Sequence, residues 1–219
     1  TGLSAGTYFL TVTDANGCSA AGNGTINAGE TINAVIAPIP AQCLNGNNFN
    51  FNGSGSNSTG GSVTTYNWDF GDGNTGTGAT PSHSYAAPGN YTVILTVSDG
   101  TCTDQVTANL TVYPNPTVTA NAIDATCNGL NDGSVSANGA GTSGYTYNWD
   151  NGAGAGQTVN GLSPNTYTVT VTDVNGCTAT DNATINEPPV LTAAITANAN
   201  ITCNGDNDGT ATVAAGGGT

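Results

Sequence analysis

Two related stretches, Asn128-Gly-Leu-Asn-Asp-Gly133 and Asn204-Gly-Asp-Asn-Asp-Gly209, gather carboxylate and amide oxygens around glycine. Such an oxygen-rich setting is what a hard cation such as Ca²⁺ seeks. Asp132, Asp206 and Asp208 are therefore candidate ligands, with Asp206 found only in the second loop. Asn-Asp-Gly is also good turn chemistry in its own right, and both loops lack the alternating ligand series and terminal bidentate Glu of an EF-hand. The turn is the favoured reading, with weak Ca²⁺ binding as a secondary expectation. His83, the one histidine, has no assignable titratable partner. It is expected to be a strand or turn residue bonded to backbone. No nucleophile–base pair emerges and no cleft for paired carboxylates is apparent, so no enzymatic activity is expected.

The elements that carry these residues belong to an unusual chain. Its 219 residues include no Lys or Arg and 14 acids, for a formal charge of −14. Contact with nucleic acid through phosphate neutralisation is excluded, and so is adhesion to an anionic bilayer. Repulsion among the carboxylates must be relieved by spacing, hydrogen bonds or cations. Trypsin-like proteases find no cleavage point, as would suit an exposed polymer. No apolar run approaches the roughly 18 residues of a membrane span. The apolar residues instead alternate with polar ones, which is the signature of half-buried strands.

Internal repetition organises those strands. The run from Gly2, GLSAGTYFLTVTDANGC, returns from Gly161 as GLSPNTYTVTVTDVNGC. Likewise TCNGLNDGSVSA from Thr126 returns at Thr202 as TCNGDNDGTATV, about 76 residues later, the size of a small sandwich. The boundaries read from these repeats are the tail of one repeat over 1–29, a related but different domain over 30–113, a complete repeat over 114–188 and the head of another over 189–219. The chain thus reads as an interior segment of something longer. Proline-bearing YPNPT and NEPPV mark the junctions.

Both domain plans contain a tryptophan strand, TYNWD and YTYNWD, followed by a glycine turn. Alternation puts Trp68 on one sheet surface and Asn67 and Asp69 on the other. Trp68 and Trp149 are accordingly assigned to the cores, where an indole fills the space between two sheets. Phe70 and Asp72 of FGDG are expected to pin a local turn, the carboxylate accepting backbone N–H groups.

At these residues the chain resembles known families. YNWDFGDGNTGTGATPSHSYAAPGNYTVILTVSDG resembles the PKD domain, an immunoglobulin-like sandwich of bacterial surface proteins. The remainder, with TCNGLNDGSVSANG, YTYNWDNG and GLSPNTYTVTVTDVNGC, is similar to the SprB-type repeat of gliding-bacterial surface adhesins. The resemblance implies an all-β chain of tandem immunoglobulin-like sandwiches arranged end to end, exported to the cell surface. Tyr91 and Tyr167, with Tyr8, fit the families' core or corner positions.

The cysteines at 18, 43, 102, 127, 177 and 203 should be oxidised in an exported chain. Cys43, Cys127 and Cys203 follow an opening strand, whereas Cys18, Cys102 and Cys177 sit in a closing hairpin. Pairing within domains would join Cys43 to Cys102 and Cys127 to Cys177. In the implied sandwich, however, those positions lie at opposite ends of a strand of roughly 26 Å, and a disulfide spans only about 7 Å between α-carbons. The preferred scheme joins Cys43 to Cys177 across a junction and sends Cys18, Cys102, Cys127 and Cys203 to partners elsewhere. Asn23, Asn52, Asn57, Asn90, Asn109, Asn182 and Asn200 head Asn-x-Ser/Thr acceptor sites for N-linked glycans.

The functional expectation is a structural segment of a long cell-surface filament or adhesin stalk. Its partners would be neighbouring repeats, other filament chains and surface polysaccharide. The rival is a carbohydrate-binding accessory module of a secreted polysaccharide-degrading enzyme, which an exposed aromatic row including Tyr66, Tyr145 or Tyr147 would favour.

Overall fold

Every regular element is a β-strand in the computed structural model, which describes residues 2–218. In chain order the first strands are β1 (Gly6–Thr13), β2 (Ser19–Ile26), β3 (Ile32–Asn33), β4 (Gln42–Cys43), β5 (Phe49–Asn50) and β6 (Asn57–Ser58). Then come β7 (Thr65–Asp69), β8 (Thr75–Thr77), β9 (Ser82–His83), β10 (Gly89–Ser98) and β11 (Thr103–Tyr113). They are followed by β12 (Thr117–Ile123), β13 (Gly133–Ala140), β14 (Thr146–Trp149), β15 (Gly154–Ala155) and β16 (Thr158–Leu162). The last are β17 (Asn165–Thr172), β18 (Thr178–Ile185), β19 (Thr192–Ala199) and β20 (Thr210–Gly216). Two compact units result, the first taking the chain to Gln42 plus Gly46–Val112, the second Cys43–Asn45 plus Tyr113 onward.

The main sheet of the first unit runs β4-β11-β10-β7-β8, and the short ladders β3-β6 and β5-β9 accompany it. Alternation in β10 turns Val93, Leu95 and Val97 into the core and leaves Asn90, Thr92 and Thr96 on the other side. Leu95 lies opposite Trp68 in the β10–β7 register. The buried indole meets Phe51 at a ring separation of 5.4 Å, and Phe51 meets Phe70 at 5.0 Å. Gly53 allows this packing, because a Cβ there would stand 2.8 Å from Leu95 Cδ2.

In the second unit the sheets β12-β13-β16 and β15-β14-β17-β18 form a sandwich. Its core gathers Val135, Ala137, Trp149, Tyr167, Val169, Ala183 and Ile185. Each indole also finds a polar partner, as a buried N–H must. Trp68 Nε1 donates to Gly78 O at 2.9 Å and Trp149 Nε1 to Gly156 O at 3.0 Å. Both tryptophans thus serve one device in two domains.

Tyrosine corners recur as well. Tyr8, Tyr91 and Tyr167 donate to the carbonyls of Ser4, Ala87 and Ser163, each four residues back. Tyr167 is buried, whereas Tyr91 is half-buried: of the core or corner role expected of it, it takes the corner, with part of its ring at the surface. Hairpins β1–β2 and β19–β20 stand apart from these cores. By sequence they correspond to β17–β18 and β12–β13, yet their apolar residues are exposed.

Candidate functional site

Every hairpin turn that bears a closing cysteine is built by an aspartate. Asp14 Oδ1 accepts from the backbone N–H groups of Asn16 and Cys18, both at 2.9 Å. Asp99 Oδ1 accepts from Thr101 at 2.9 Å and Cys102 at 2.8 Å, and Asp173 Oδ1 from Asn175 and Cys177, both at 2.9 Å. A carboxylate taking two such N–H groups closes the turn and sets the cysteine at a defined place on its rim. Sequence reasoning passed over these aspartates, although their recurrence before each of the three cysteines was visible.

Asp99 also accepts from Ser58 Oγ at 2.6 Å. The Cys102 N–H, the Ser58 hydroxyl and the Thr101 N–H together hold its carboxyl down to about 2. Asp173 differs: it is buried, and its Oδ2 has no hydrogen-bond partner. Next to it, Cys177 is bonded to Cys43, with α-carbons 5.5 Å apart and a sequence separation of 134. The segment around Cys43 is held at the linker too. Leu44 N donates to Tyr113 O at 2.8 Å, and Asn45 N donates to Asn115 Oδ1 at 2.8 Å. Asn115 Nδ2 in turn donates to Thr178 O at 3.2 Å. Cys18, Cys127 and Cys203 are exposed thiols, and Cys102 is a partly exposed one.

The oxygen-rich loops serve as clasps. Asp132 accepts from both the N–H and the hydroxyl of Thr126, and Asp208 does the same with Thr202. The threonine hydroxyl, then the threonine N–H, hold each carboxyl below its ordinary value. Asp206 enters its turn through its backbone N–H, which donates to Cys203 O at 3.1 Å. In the first loop Gly129 N donates to Glu187 Oε2 at 2.7 Å and Asn128 Nδ2 to Pro188 O at 3.1 Å, tying the loop to the proline-bearing linker. Among the described residues no three His, Cys, Asp or Glu side chains gather as a metal-holding group.

His83 departs from expectation. Its Nε2 lies 2.8 Å from Asp72 Oδ2, and its ring stacks on Phe70 at 4.3 Å and 7°. The partner is thus a carboxylate rather than backbone. Phe70 lies in the turn after β7 and His83 in β9, and the chain's return past β8 brings the two rings together. Partial burial opposes ionisation of Asp72, but hydrogen bonds from His83 and Asn74 outweigh it and hold the carboxyl below its ordinary value. Tyr85 completes the cluster by donating to Phe70 O at 2.8 Å, and burial raises its phenol.

The glycan-acceptor asparagines fall on exposed strands and turns. Across β10–β11 Asn90 lies opposite Thr111 and Asn109 opposite Thr92, so each accepts from the other site's threonine: Thr111 Oγ1 to Asn90 at 2.7 Å and Thr92 Oγ1 to Asn109 at 2.9 Å. Asn52 accepts from the N–H and hydroxyl of Ser54, its own site residue. Asn57 lies in β6, Asn182 in β18 and Asn23 in β2, whereas Asn200 follows β19. A shallow depression on the first sheet is lined by Asn67, Asp69, Thr75, Thr77, Ile94 and Gln105. Tyr66, Tyr145 and Tyr147 are half-buried, and Tyr147 Oη accepts from Gly139 N at 3.1 Å. They form no exposed aromatic row.

The PKD domain family model matches residues 33–114. The PKD1 domain of Epp from Vibrio anguillarum is 30% identical, and the match covers 37% of this chain and 92% of that one with a TM-score of 0.33. The PKD1 domain of the metalloprotease PrtV from Vibrio cholerae is 31% identical, with 36% and 93% covered and a TM-score of 0.32. A fragment of intimin, solved with the intimin-binding domain of its translocated receptor, is 16% identical over 73% of this chain and 67% of that one, with a TM-score of 0.46. No protein of curated function matches the chain.

Proposed function

Since residues 33–114 belong to the PKD domain family, we propose that the chain is a load-bearing segment of a long extracellular filament or adhesin stalk. The observation that carries the reading is the Cys43–Cys177 bond, which ties the opening segment of the PKD domain to the closing hairpin of the sandwich that follows it in the chain. Disulfides persist in oxidising, extracellular settings. A covalent tie of this kind bears tension that hydrogen-bonded strands alone would yield to. The SprB-like sequence of 114–188 gives the finer setting, a surface adhesin of gliding bacteria. Uniform negative charge would keep neighbouring fibres apart.

Force-extension measurement on the single chain tests this reading. At 3.3–3.6 Å per extended residue, the loop closed by the bonded cysteines, whose sequence separation is 134, should hide roughly 450 Å of length until a reductant is added. Equal extension of oxidised and reduced chains would sink the load-bearing role.

A further inference from the structure

Polar side chains on the outer side of the PKD sheet behave in two ways. Along one stretch of β10–β11 they spend their hydrogen bonds on one another, Thr92 donating to Asn109 and Thr111 to Asn90. Further along the same strands lies the depression, about 440 Å³ in volume. That size falls within the roughly 300–1,000 Å³ of small-molecule sites. Strand register explains its lining. Thr77 of β8 lies opposite Asn67 of β7, Asn67 opposite Thr96 of β10, and Thr96 opposite Gln105 of β11, so four side chains form one row across four strands. Alternation sets this row on the side of the sheet away from Trp68 and Leu95. At about 4.7–4.9 Å between strands, the row is roughly 14 Å long. In the adjacent row Ile94 lies opposite Asp69 and supplies half-buried apolar surface.

Most of the hydrogen-bonding capacity of the depression is unspent. Asp69 Oδ1 accepts from Gly71 N at 2.9 Å, which fixes the carboxyl, while Oδ2 has no partner among the described residues. Gln105 Nε2 donates to Thr96 Oγ1 at 3.0 Å, and that bond orients both side chains while leaving the Gln105 carbonyl oxygen and the Thr96 proton available. The Asn67 amide and the Thr77 hydroxyl have no partner among the described residues either. Thr77 and Thr96 are β-branched and stiff at χ1, so little side-chain freedom is lost when a ligand meets them. Donors and acceptors thus alternate around one apolar spot. A saccharide presents the complementary mixture, hydroxyls that both donate and accept beside a face of C–H groups. Charge narrows the class further: with no Lys or Arg and a formal charge of −14, the chain offers an anionic ligand no counter-charge and a repulsive field. An extended peptide would instead seek the backbone groups of a sheet edge.

We propose that this depression on the outer side of the PKD sheet binds an uncharged oligosaccharide segment laid along the row from Thr77 to Gln105. Asp69 Oδ2 and the Gln105 carbonyl accept from sugar hydroxyls, Asn67 both donates and accepts, Thr77 and Thr96 donate, and Ile94 carries the C–H face. The site is shallow, so a single copy binds weakly. This inference goes beyond load bearing and does not rest on it, since glycan retention and extension under force are read separately.

The test applies the full 219-residue chain, labelled at its N-terminus, to an array of neutral oligosaccharides printed beside sulfated and uronic-acid ones. Neutral glycans that retain it are then titrated in solution. Retention on neutral oligosaccharides is expected, with severalfold less on sulfated forms of the same backbone. Asn67→Ala and Gln105→Ala should each weaken binding about tenfold, as the loss of a hydrogen-bonding group in a small site implies, while the melting temperature stays as in wild type. Asn109→Ala, on the same face but outside the depression, should bind as wild type does. Three results would overturn the proposal: no neutral glycan on the array retained, sulfated and neutral forms held equally, or affinity that survives both Asn67→Ala and Gln105→Ala.

Discussion

At the scale of single residues, the two tryptophans and one aspartate carry the clearest consequences. Trp68 is buried against Phe51 and donates to Gly78 O. Trp68→Ala should cost about 3–5 kcal/mol through lost burial and a residual cavity. Denaturant unfolding followed by the fluorescence of Trp149, the remaining indole, should then show an early transition in the PKD domain detected by circular dichroism while the Trp149 signal keeps its midpoint. A common shift of both transitions would mean that the two units unfold together. Asp173 poses the opposite case: Oδ1 accepts two N–H groups, yet buried Oδ2 has none. Asp173→Asn keeps the acceptor at Oδ1 and alters only the position that has no partner. It should leave the melting temperature unchanged or raise it, and a loss of several degrees would show that Oδ2 is satisfied in solution.

At the scale of the element, the cysteine-bearing turns are the recurring unit. Asp99 has its carboxyl lowered from an ordinary 3.8 to about 2 by the Cys102 N–H, the Ser58 hydroxyl and the Thr101 N–H. A depressed folded value means that the stabilisation is whole above the unfolded value and is lost as pH falls through about 2. The melting temperature should therefore hold from neutral pH to near pH 4 and drop towards pH 2. Asp99→Ala should start lower at neutral pH, with the gap to wild type closing in acid. A gap that stayed constant with pH would remove the carboxylate from the account. The glycine turn after Trp68 is equally dictated: Gly71 has φ +80°, and a Cβ there would sit 2.5 Å from Thr92 O.

At the scale of the whole molecule, charge is the governing feature. With 14 acids, no Lys or Arg and one His, repulsion goes almost uncompensated. Raising salt from about 0.01 to 0.15 M shortens the screening length from roughly 30 to 8 Å. The melting temperature should rise with added NaCl, and a fall would contradict the repulsion argument. The sequence by itself determined the β class, the tandem repetition and the inward placing of Trp68 and Trp149, because a period of two residues and a repeated motif are local properties of the chain. It left the cysteine connectivity open between two schemes, left Tyr91 open between core and corner, and missed the carboxylate beside His83. Only tertiary structure decided those points. Cys43 and Cys177 are 134 residues apart, so their meeting depends on how sheets close; His83 in β9 meets Asp72 in the turn after β7 only because the chain folds back over β8. No alternation or repeat encodes either contact.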